Sequence, residues 1–194
     1  MITSSLHDHT LWPALVADLN VLLQPAQPPA ETPPAPPLDD LGSIWQALRQ
    51  LAESWGKGPE AERLIFQWQQ RLAFVASQSL SEAPVPVLCL LADDQGWQPL
   101  HSPWLQEVLE MAGGRPLEPV ELSSELPPET HLICFGTLTQ PPALQAARRF
   151  LVPAGADVLL PGSRLPELLE LLAEMLQPEL FDFGHRGTGW QNWL

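Results

Sequence analysis

The fold is decided by residues 85–114, which read VPVLCLLADDQGWQPLHSPWLQEVLEMAGG. Residues 85–91 form an unbroken apolar run, a pattern typical of a strand that is buried on both faces of a sheet. A polar segment follows, and residues 104–112 then show the three-to-four spacing of apolar side chains that predicts a helix. Gly113-Gly114 is a helix stop. A buried strand that leads into a helix favours an α/β fold with a parallel sheet.

The same alternation continues toward the C-terminus. We expect a short edge strand at 117–121, a buried strand at 131–136, a helix at 141–151, a strand at 156–160, a helix at 164–176 and an irregular tail at 181–194. Strands that alternate with helices of this length favour a three-layer sandwich with a mostly parallel sheet. This predicted α/β lobe spans residues 83–194.

A pair of amphipathic helices is predicted in residues 39–82, ahead of the lobe. The first begins at Asp39-Asp40, where acidic side chains favour a helix N-terminus, and the second begins near Pro59. Residues 25–38, PAQPPAETPPAPPL, contain seven prolines and are predicted to form an extended linker. Residues 1–24 are expected to hold a helical turn followed by a strand.

Composition excludes several classes of function. The chain has 194 residues, 45% of them hydrophobic, which is enough to build a core. Its net charge of −14 disfavours binding to nucleic acid or to anionic lipid. No apolar run is long enough to span a membrane, and the N-terminus does not resemble a secretory signal. We therefore expect a cytoplasmic protein, or a periplasmic one if a leader has been removed.

The candidate binding site is the segment that follows the first strand, because ligands of parallel α/β sheets bind beyond the carboxyl ends of the strands. Its candidate ligand-binding residues are Asp93, Gln95, Trp97, His101 and Trp104. Indole rings offer flat apolar area, and polar groups fix a ligand's orientation. Structural alternatives stay open: Trp104 as the first core residue of its helix, Trp97 as a cover for the sheet edge, and His101 as a solvated or capping residue.

No catalytic or metal-binding motif is present. The sequence contains no GxGxxG or Walker loop after a strand, no GxSxG elbow and no CxxC pair. Cys89 and Cys134 lie inside apolar runs, which favours buried thiols that act as small hydrophobes. We expect a protein that is not an enzyme, and an enzyme that uses the Asp93–His101 loop is a third hypothesis.

The chain resembles the substrate-binding proteins of ABC importers for cobalamin and iron–siderophores. The resemblance covers roughly residues 39–181 and rests on the order and spacing of short stretches, which are LDDLGSIWQALRQLAESWGKGPEAERLIFQWQQRLAFV, VPVLCLL, WLQEVLEMAGGRPL, SSELPPETHLICFG and PGSRLPELLELLAEMLQPELF. It implies a clamshell of two α/β lobes joined by a rigid helix. It also implies a corrinoid or chelated iron as ligand and delivery of that ligand to a membrane permease.

The resemblance also implies roles for individual residues. Trp97 corresponds to an aromatic side chain that faces the ligand, with His101 and Trp104 as neighbours. Glu125, in Ser123-Ser124-Glu125, corresponds to a surface glutamate that pairs with permease arginines.

Two features depart from the family. In the family, a complete first lobe precedes the position that corresponds to residue 39, whereas this sequence has 38 residues there. The loop before the last helix is also shorter than in the family. Two hypotheses follow. The chain is a single lobe that binds cobalamin or another metal chelate, completed by a partner chain or as a homodimer, or it is a scaffold that has lost the ligand and binds another protein.

Overall fold

The described part of the chain contains eleven helices and strands. The structure is a computed structural model, and it describes residues 8–25, 34, 36–79, 83–118, 125–137, 140, 142–153, 158, 159 and 162–193. The helices are α1 (Asp8–Leu23), α2 (Leu41–Ser54), α3 (Gly58–Ser79), α4 (Pro103–Met111) and α5 (Leu165–Leu176). The strands are β1 (Val85–Asp93), β2 (Gly96–Pro99), β3 (Gly114–Pro116), β4 (His131–Phe135), β5 (Arg148–Val152) and β6 (Gln191–Asn192).

The sheet is mostly parallel, with the order β2-β1-β4-β5-β6. Strands β1, β4 and β5 run parallel to one another and form its centre. The outer edge of β1 is shared: β3 pairs with its first half in parallel, and β2 returns along its second half as an antiparallel hairpin. Strand β6 closes the other side antiparallel to β5. The prediction of an α/β fold with a mostly parallel sheet is confirmed.

The two faces of the sheet are covered differently. Cys89, Ile133 and Phe150 belong to a core shared with all five helices. On the opposite face, Leu88, Cys134 and other strand residues pack against a second cluster that contains no helical residue among those described. This second face is covered by irregular chain and tryptophan side chains, so both faces are buried, as the apolar strand runs predicted.

The helix pair before the lobe is confirmed, and its ends have local causes. Asp40 caps α2: its side chain accepts a hydrogen bond from the backbone of Ser43 at 2.6 Å, and the Ser43 hydroxyl lies 3.1 Å from the backbone nitrogen of Asp40. This reciprocal pair is a capping box. Trp45 of α2 and Trp68 of α3 bring their ring centroids to 6.1 Å, which ties the two helices together.

The prediction for the N-terminal segment is wrong, because residues 8–23 form one helix instead of a turn and a strand. Trp12, Leu15, Leu19 and Leu23 lie at helical spacing and are all buried. Asp18 accepts hydrogen bonds from the backbone nitrogen and hydroxyl of Ser163, which fasten α1 to the chain just before α5. The predicted linker lies largely outside the described residues, as do residues 1–7.

Three predictions for the chain between residues 117 and 160 are also corrected by the structure. Residues 142–147 are not helical, and β5 begins at Arg148, where the predicted helix would have continued. The short strand predicted at 117–121 lies earlier, as β3, and residues 119–124 lie outside the described chain. Val158 and Leu159 form a helical turn where a strand was expected, and residues 154–157 and 160 are not described. The final helix is confirmed as α5.

Candidate functional site

The carboxyl ends of the three central strands meet at one edge of the sheet. Leu91 of β1 pairs with Phe135 of β4, and Phe135 pairs with Val152 of β5, so the three strands end at nearly the same level. This carboxyl edge is where parallel α/β sheets bind ligands, because the backbone dipoles and the connecting loops converge there.

The turn between β1 and β2 supplies the polar groups of the carboxyl edge. Asp93 Oδ1 accepts a hydrogen bond from the Gln95 backbone nitrogen at 2.7 Å, and Gly96 closes the turn with φ of 115°. Asp93, Asp94 and Gln95 are all exposed. None of the ion pairs among the described residues involves Asp93 or Asp94, so both carboxylates face solvent with free acceptor capacity.

A glycine ends β4 at the same edge. Gly136 has φ of 139°, and a Cβ placed there would lie 2.4 Å from the Ala92 Cβ. Only glycine therefore lets β4 leave the sheet this close to β1. The next residue, Thr137, is exposed and adds a hydroxyl to the edge.

Trp97 lies on β2 and not on a loop, and its side chain is 8% exposed. Its indole nitrogen donates a hydrogen bond to the Gln140 carbonyl oxygen at 2.8 Å. Its ring packs edge-on against Trp193, with centroids 5.4 Å apart. Trp97 therefore lies on an edge strand with its ring buried, as the alternative of a tryptophan that covers the sheet edge predicted.

His101 and Trp104 lie on the other side of the sheet, at the start of α4. Trp104 is 1% exposed and belongs to the core shared with the helices, as the structural alternative for this residue predicted. His101 is half-buried, and its Nδ1 lies 3.2 Å from the amide nitrogen of Gln106. The crevice beside His101 holds only about 10 Å³, too little for any ligand beyond a water molecule.

The structure thus separates the five candidate residues. Asp93 and Gln95 lie together at the carboxyl edge, Trp97 packs on one face of the sheet, and Trp104 packs on the other. An indole-lined rim formed by Trp97 and Trp104 does not exist in this structure. The contribution of Asp93, Gln95 and His101 to ligand binding stays a prediction.

Sequence reasoning missed Trp193, which lies in the tail that was expected to be irregular. Its backbone nitrogen donates to the Arg149 carbonyl oxygen at 2.8 Å, which places the tail beside β5. The ring is half-buried and contacts Trp97 on the face that the second cluster covers. The cluster of tryptophans in GWQNWL, residues 189–194, was the available signal.

Neither cysteine has the character of a nucleophile. Both thiols are buried and unpaired, and they belong to clusters on opposite faces of the sheet. Burial raises the pKa of the Cys134 thiol to about 12 and raises that of Cys89 above its ordinary range, with a smaller effect of Cys134 on Cys89. Thiolate, the reactive form, is therefore absent at neutral pH.

Within the described ranges, His, Cys, Asp and Glu side chains form no group that could hold a metal ion. Nor does any helix in that part of the chain combine the length and the apolar character needed to cross a lipid bilayer. Glu125, the residue expected to dock a permease, is exposed, whereas Ser123 and Ser124 lie outside the described residues.

Solved structures with the same architecture are substrate-binding proteins. A periplasmic heme-binding protein from Pseudomonas aeruginosa matches with a TM-score of 0.58 and 18% identity, over 79% of this chain and 65% of that one. The chain shares the fold of periplasmic substrate-binding proteins. An ABC transporter substrate-binding protein from Listeria monocytogenes EGD-e matches with a TM-score of 0.51 and 12% identity, over 72% of this chain and 66% of that one.

A periplasmic binding protein from Veillonella parvula dsm 2008 matches with a TM-score of 0.51 and 14% identity, over 72% of this chain and 57% of that one. The chain thus spans 57–66% of the length of these three proteins. No protein-family model and no curated protein matches the sequence. At such identities the likeness establishes the fold, which agrees with the expected resemblance, and function has to be argued from the site.

Proposed function

We propose that the chain is a non-catalytic binding lobe that holds a flat metal chelate against its carboxyl edge. The chelate is a corrinoid such as cobalamin or a ferric tetrapyrrole such as heme. The observation that carries the proposal is the carboxyl edge itself, where the exposed groups of Asp93, Gln95 and Thr137 stand at the ends of adjacent parallel strands.

The fold supports a ligand of this class. The Pseudomonas aeruginosa protein of the same architecture is a periplasmic heme-binding protein. The polar edge of the present chain suits the amide periphery of a corrinoid, which offers hydrogen-bond donors and acceptors around a flat centre. The free carboxylates of Asp93 and Asp94 favour a periphery rich in donors, as amide side chains provide.

A single lobe covers only one side of a ligand, so we expect weak binding. We expect a Kd of about 100 μM for a site with only one wall, which corresponds to a binding free energy of about −5.5 kcal/mol. A partner chain is proposed to supply the opposing wall, because a second copy with the same net charge of −14 would repel the first. A permease is the proposed downstream partner, with the exposed carboxylate of Glu125 as its contact.

Ligand titration tests the proposal. Binding of hemin is followed by its Soret band and binding of hydroxocobalamin by equilibrium dialysis. Asp93→Asn keeps an oxygen that accepts the Gln95 backbone hydrogen bond but removes the charge, so it changes the edge without opening the turn. Asp182→Asn is the control, because Asp182 is exposed and lies in the tail.

The proposal predicts saturable binding of one of the two ligands, weakened several-fold by Asp93→Asn and unchanged by Asp182→Asn. Absence of saturable binding up to about 1 mM ligand, ten times the expected Kd, would overturn it. Equal affinity of the wild type and the Asp93→Asn variant would contradict the placement of the ligand at the carboxyl edge.

A second candidate function is a protein-interaction scaffold that keeps the fold and binds no small ligand. The burial of Trp97 and Trp104 favours it, since the indoles that would stack on a flat ligand instead stabilise the sheet. Failure of the titration together with retained folding would support this candidate.

A further inference from the structure

A cleft of about 260 Å³ lies where α2, α3 and α4 meet, away from the carboxyl edge. We call it the helix cleft. Its apolar lining includes Trp45, Leu72, Ala73, Ala76 and Met111. The first belongs to α2, the next three to α3 and the last to α4, so three separate helices shape one apolar depression.

The size of the helix cleft indicates what it can hold. Small-molecule sites in proteins usually enclose about 300–1,000 Å³, and this cleft is both smaller and open to solvent. It has room for one or two large apolar side chains, which is the size of the anchors that an amphipathic helix inserts into a hydrophobic groove.

A further exposed apolar side chain lies on the same side of α3 as the helix cleft. Phe66 is 61% exposed, although a phenylalanine normally lies in the core. It precedes Ala73 by two helical turns, which places both residues on the same side of α3. Phe66 is therefore an additional exposed apolar group beside the cleft, separated from Ala73 by Gln69 of the lining.

One carboxylate lies in the lining of this apolar surface. Glu107 is half-buried, and its Oε2 lies 3.4 Å from the Leu41 backbone nitrogen, which donates to it. Burial raises the pKa of the Glu107 carboxyl, the hydrogen bond from Leu41 opposes part of this rise, and repulsion from Asp40 and Glu110 adds to it. No ion pair among the described residues involves Glu107, so that part of the chain supplies no cation to balance its charge.

We propose that the helix cleft binds an amphipathic helix of a partner protein whose apolar side chains fill it and whose Lys or Arg pairs with Glu107. Charge argues against a second copy as the occupant, because the chain carries a net charge of −14 and would repel itself. The inference names the contact surface for the scaffold function, and it is independent of any ligand at the carboxyl edge.

Fluorescence anisotropy with a defined probe tests the inference on the full chain. The probe is a labelled model helix of about 18 residues, with leucines on one face and lysines on the other. A second probe replaces every lysine with glutamate. Ala73→Arg places a cation in the cleft at an exposed position, where the helix tolerates it. Gln67→Arg makes a comparable charge change at an exposed position of α3 outside the cleft lining.

The expected result is saturable binding of the lysine probe, weakened at least about tenfold by Ala73→Arg and changed little by Gln67→Arg. Glu107→Gln should weaken it about two- to fivefold, because a partly exposed ion pair contributes modestly. Circular dichroism verifies that each variant is folded. The Glu107→Gln variant keeps the test decisive if Ala73→Arg does not fold.

Three results would overturn the inference: equal weakening by Ala73→Arg and Gln67→Arg, equal binding of the glutamate probe, or no saturable binding of either probe. Self-association that sedimentation detects and Ala73→Arg abolishes would assign the cleft to a second copy instead. None of these results depends on hemin or cobalamin, so the scaffold contact and the ligand proposal fail independently.

Discussion

Glu174 offers a sharp test of how the C-terminal tail is held. The residue lies in the last turns of α5 and is only 4% exposed. Its two carboxylate oxygens accept hydrogen bonds from the backbone nitrogens of His185, at 3.0 Å, and Arg186, at 3.3 Å. The tail thus anchored carries Trp190, whose ring packs edge-on against Phe150 of the sheet.

We expect Glu174→Gln to lower the free energy of unfolding by about 2 kcal/mol. The variant keeps one oxygen acceptor but turns an amide NH₂ toward the second backbone nitrogen, which loses its partner. A charge-assisted hydrogen bond contributes about 1.5–3 kcal/mol, and an unpaired buried donor costs about 1–3 kcal/mol. Removing a buried charge offsets part of this loss.

Urea denaturation measures the effect. With a slope of about 2 kcal/mol per molar urea, the midpoint should fall by about 1 M. Glu167→Gln is the matched control, because Glu167 lies on the same helix in a surface ion pair with Arg164 and should change stability by less than about 0.5 kcal/mol. Hydrogen exchange in residues 184–193 should quicken in the Glu174→Gln variant only. Equal midpoints for the two variants, with unchanged exchange in the tail, would refute the tether.

Three further predictions concern buried groups. Cys89 and Cys134 should react with a thiol reagent only after unfolding, since burial raises both thiol pKa values; rapid reaction of the native protein would contradict this. Burial lowers the pKa of the His131 imidazole, and the positive charge of Arg148 lowers it further. As the pH falls below about 6.5, the imidazole therefore binds a proton more readily in the unfolded chain than in the folded one, and the free energy of unfolding should decrease. His131→Phe should remove that part of the loss in pH-dependent denaturation, and an unchanged profile would count against it. Gly113→Ala should lower the free energy of unfolding by about 1–3 kcal/mol, which is more than Gly184→Ala should lower it. Both glycines have φ of 84°, but only at Gly113 would the added Cβ meet a close neighbour, the Gln177 side chain. Thermal denaturation of the two variants measures the difference.

Elements with local signals could be predicted from sequence. Helix α2 begins where Asp40 and Ser43 can cap each other, and that arrangement needs only neighbours in the chain. The apolar runs around Cys89 and Cys134 predicted strands buried on both faces, and both lie in the centre of the sheet. Helix α1 carries a helical stripe as well, but its single apolar segment is short, which favoured a helical turn followed by a strand.

Strand β5 shows why other elements could not be predicted. Residues 148–152, RRFLV, follow an alanine-rich stretch that favours a helix. In the fold, β4 pairs with them on one side and β6 on the other, and these partners come from distant parts of the chain. Pairing on both edges outweighs the local preference, which single-sequence reasoning does not include.

The residues of the candidate site also differ in how far their positions could be predicted from sequence. By itself, the sequence determined which residues would be polar at the end of β1, because a turn after a buried strand must contain groups such as Asp93 and Gln95 that tolerate solvent. Only the tertiary structure decided the place of Trp97, because an indole lies in solvent or in a core according to what packs on it. Here a tail residue, Trp193, and the Gln140 carbonyl oxygen cover it. Contacts between residues far apart in the chain leave no pattern in the local sequence. The position of Trp97 could therefore be read only from the tertiary structure.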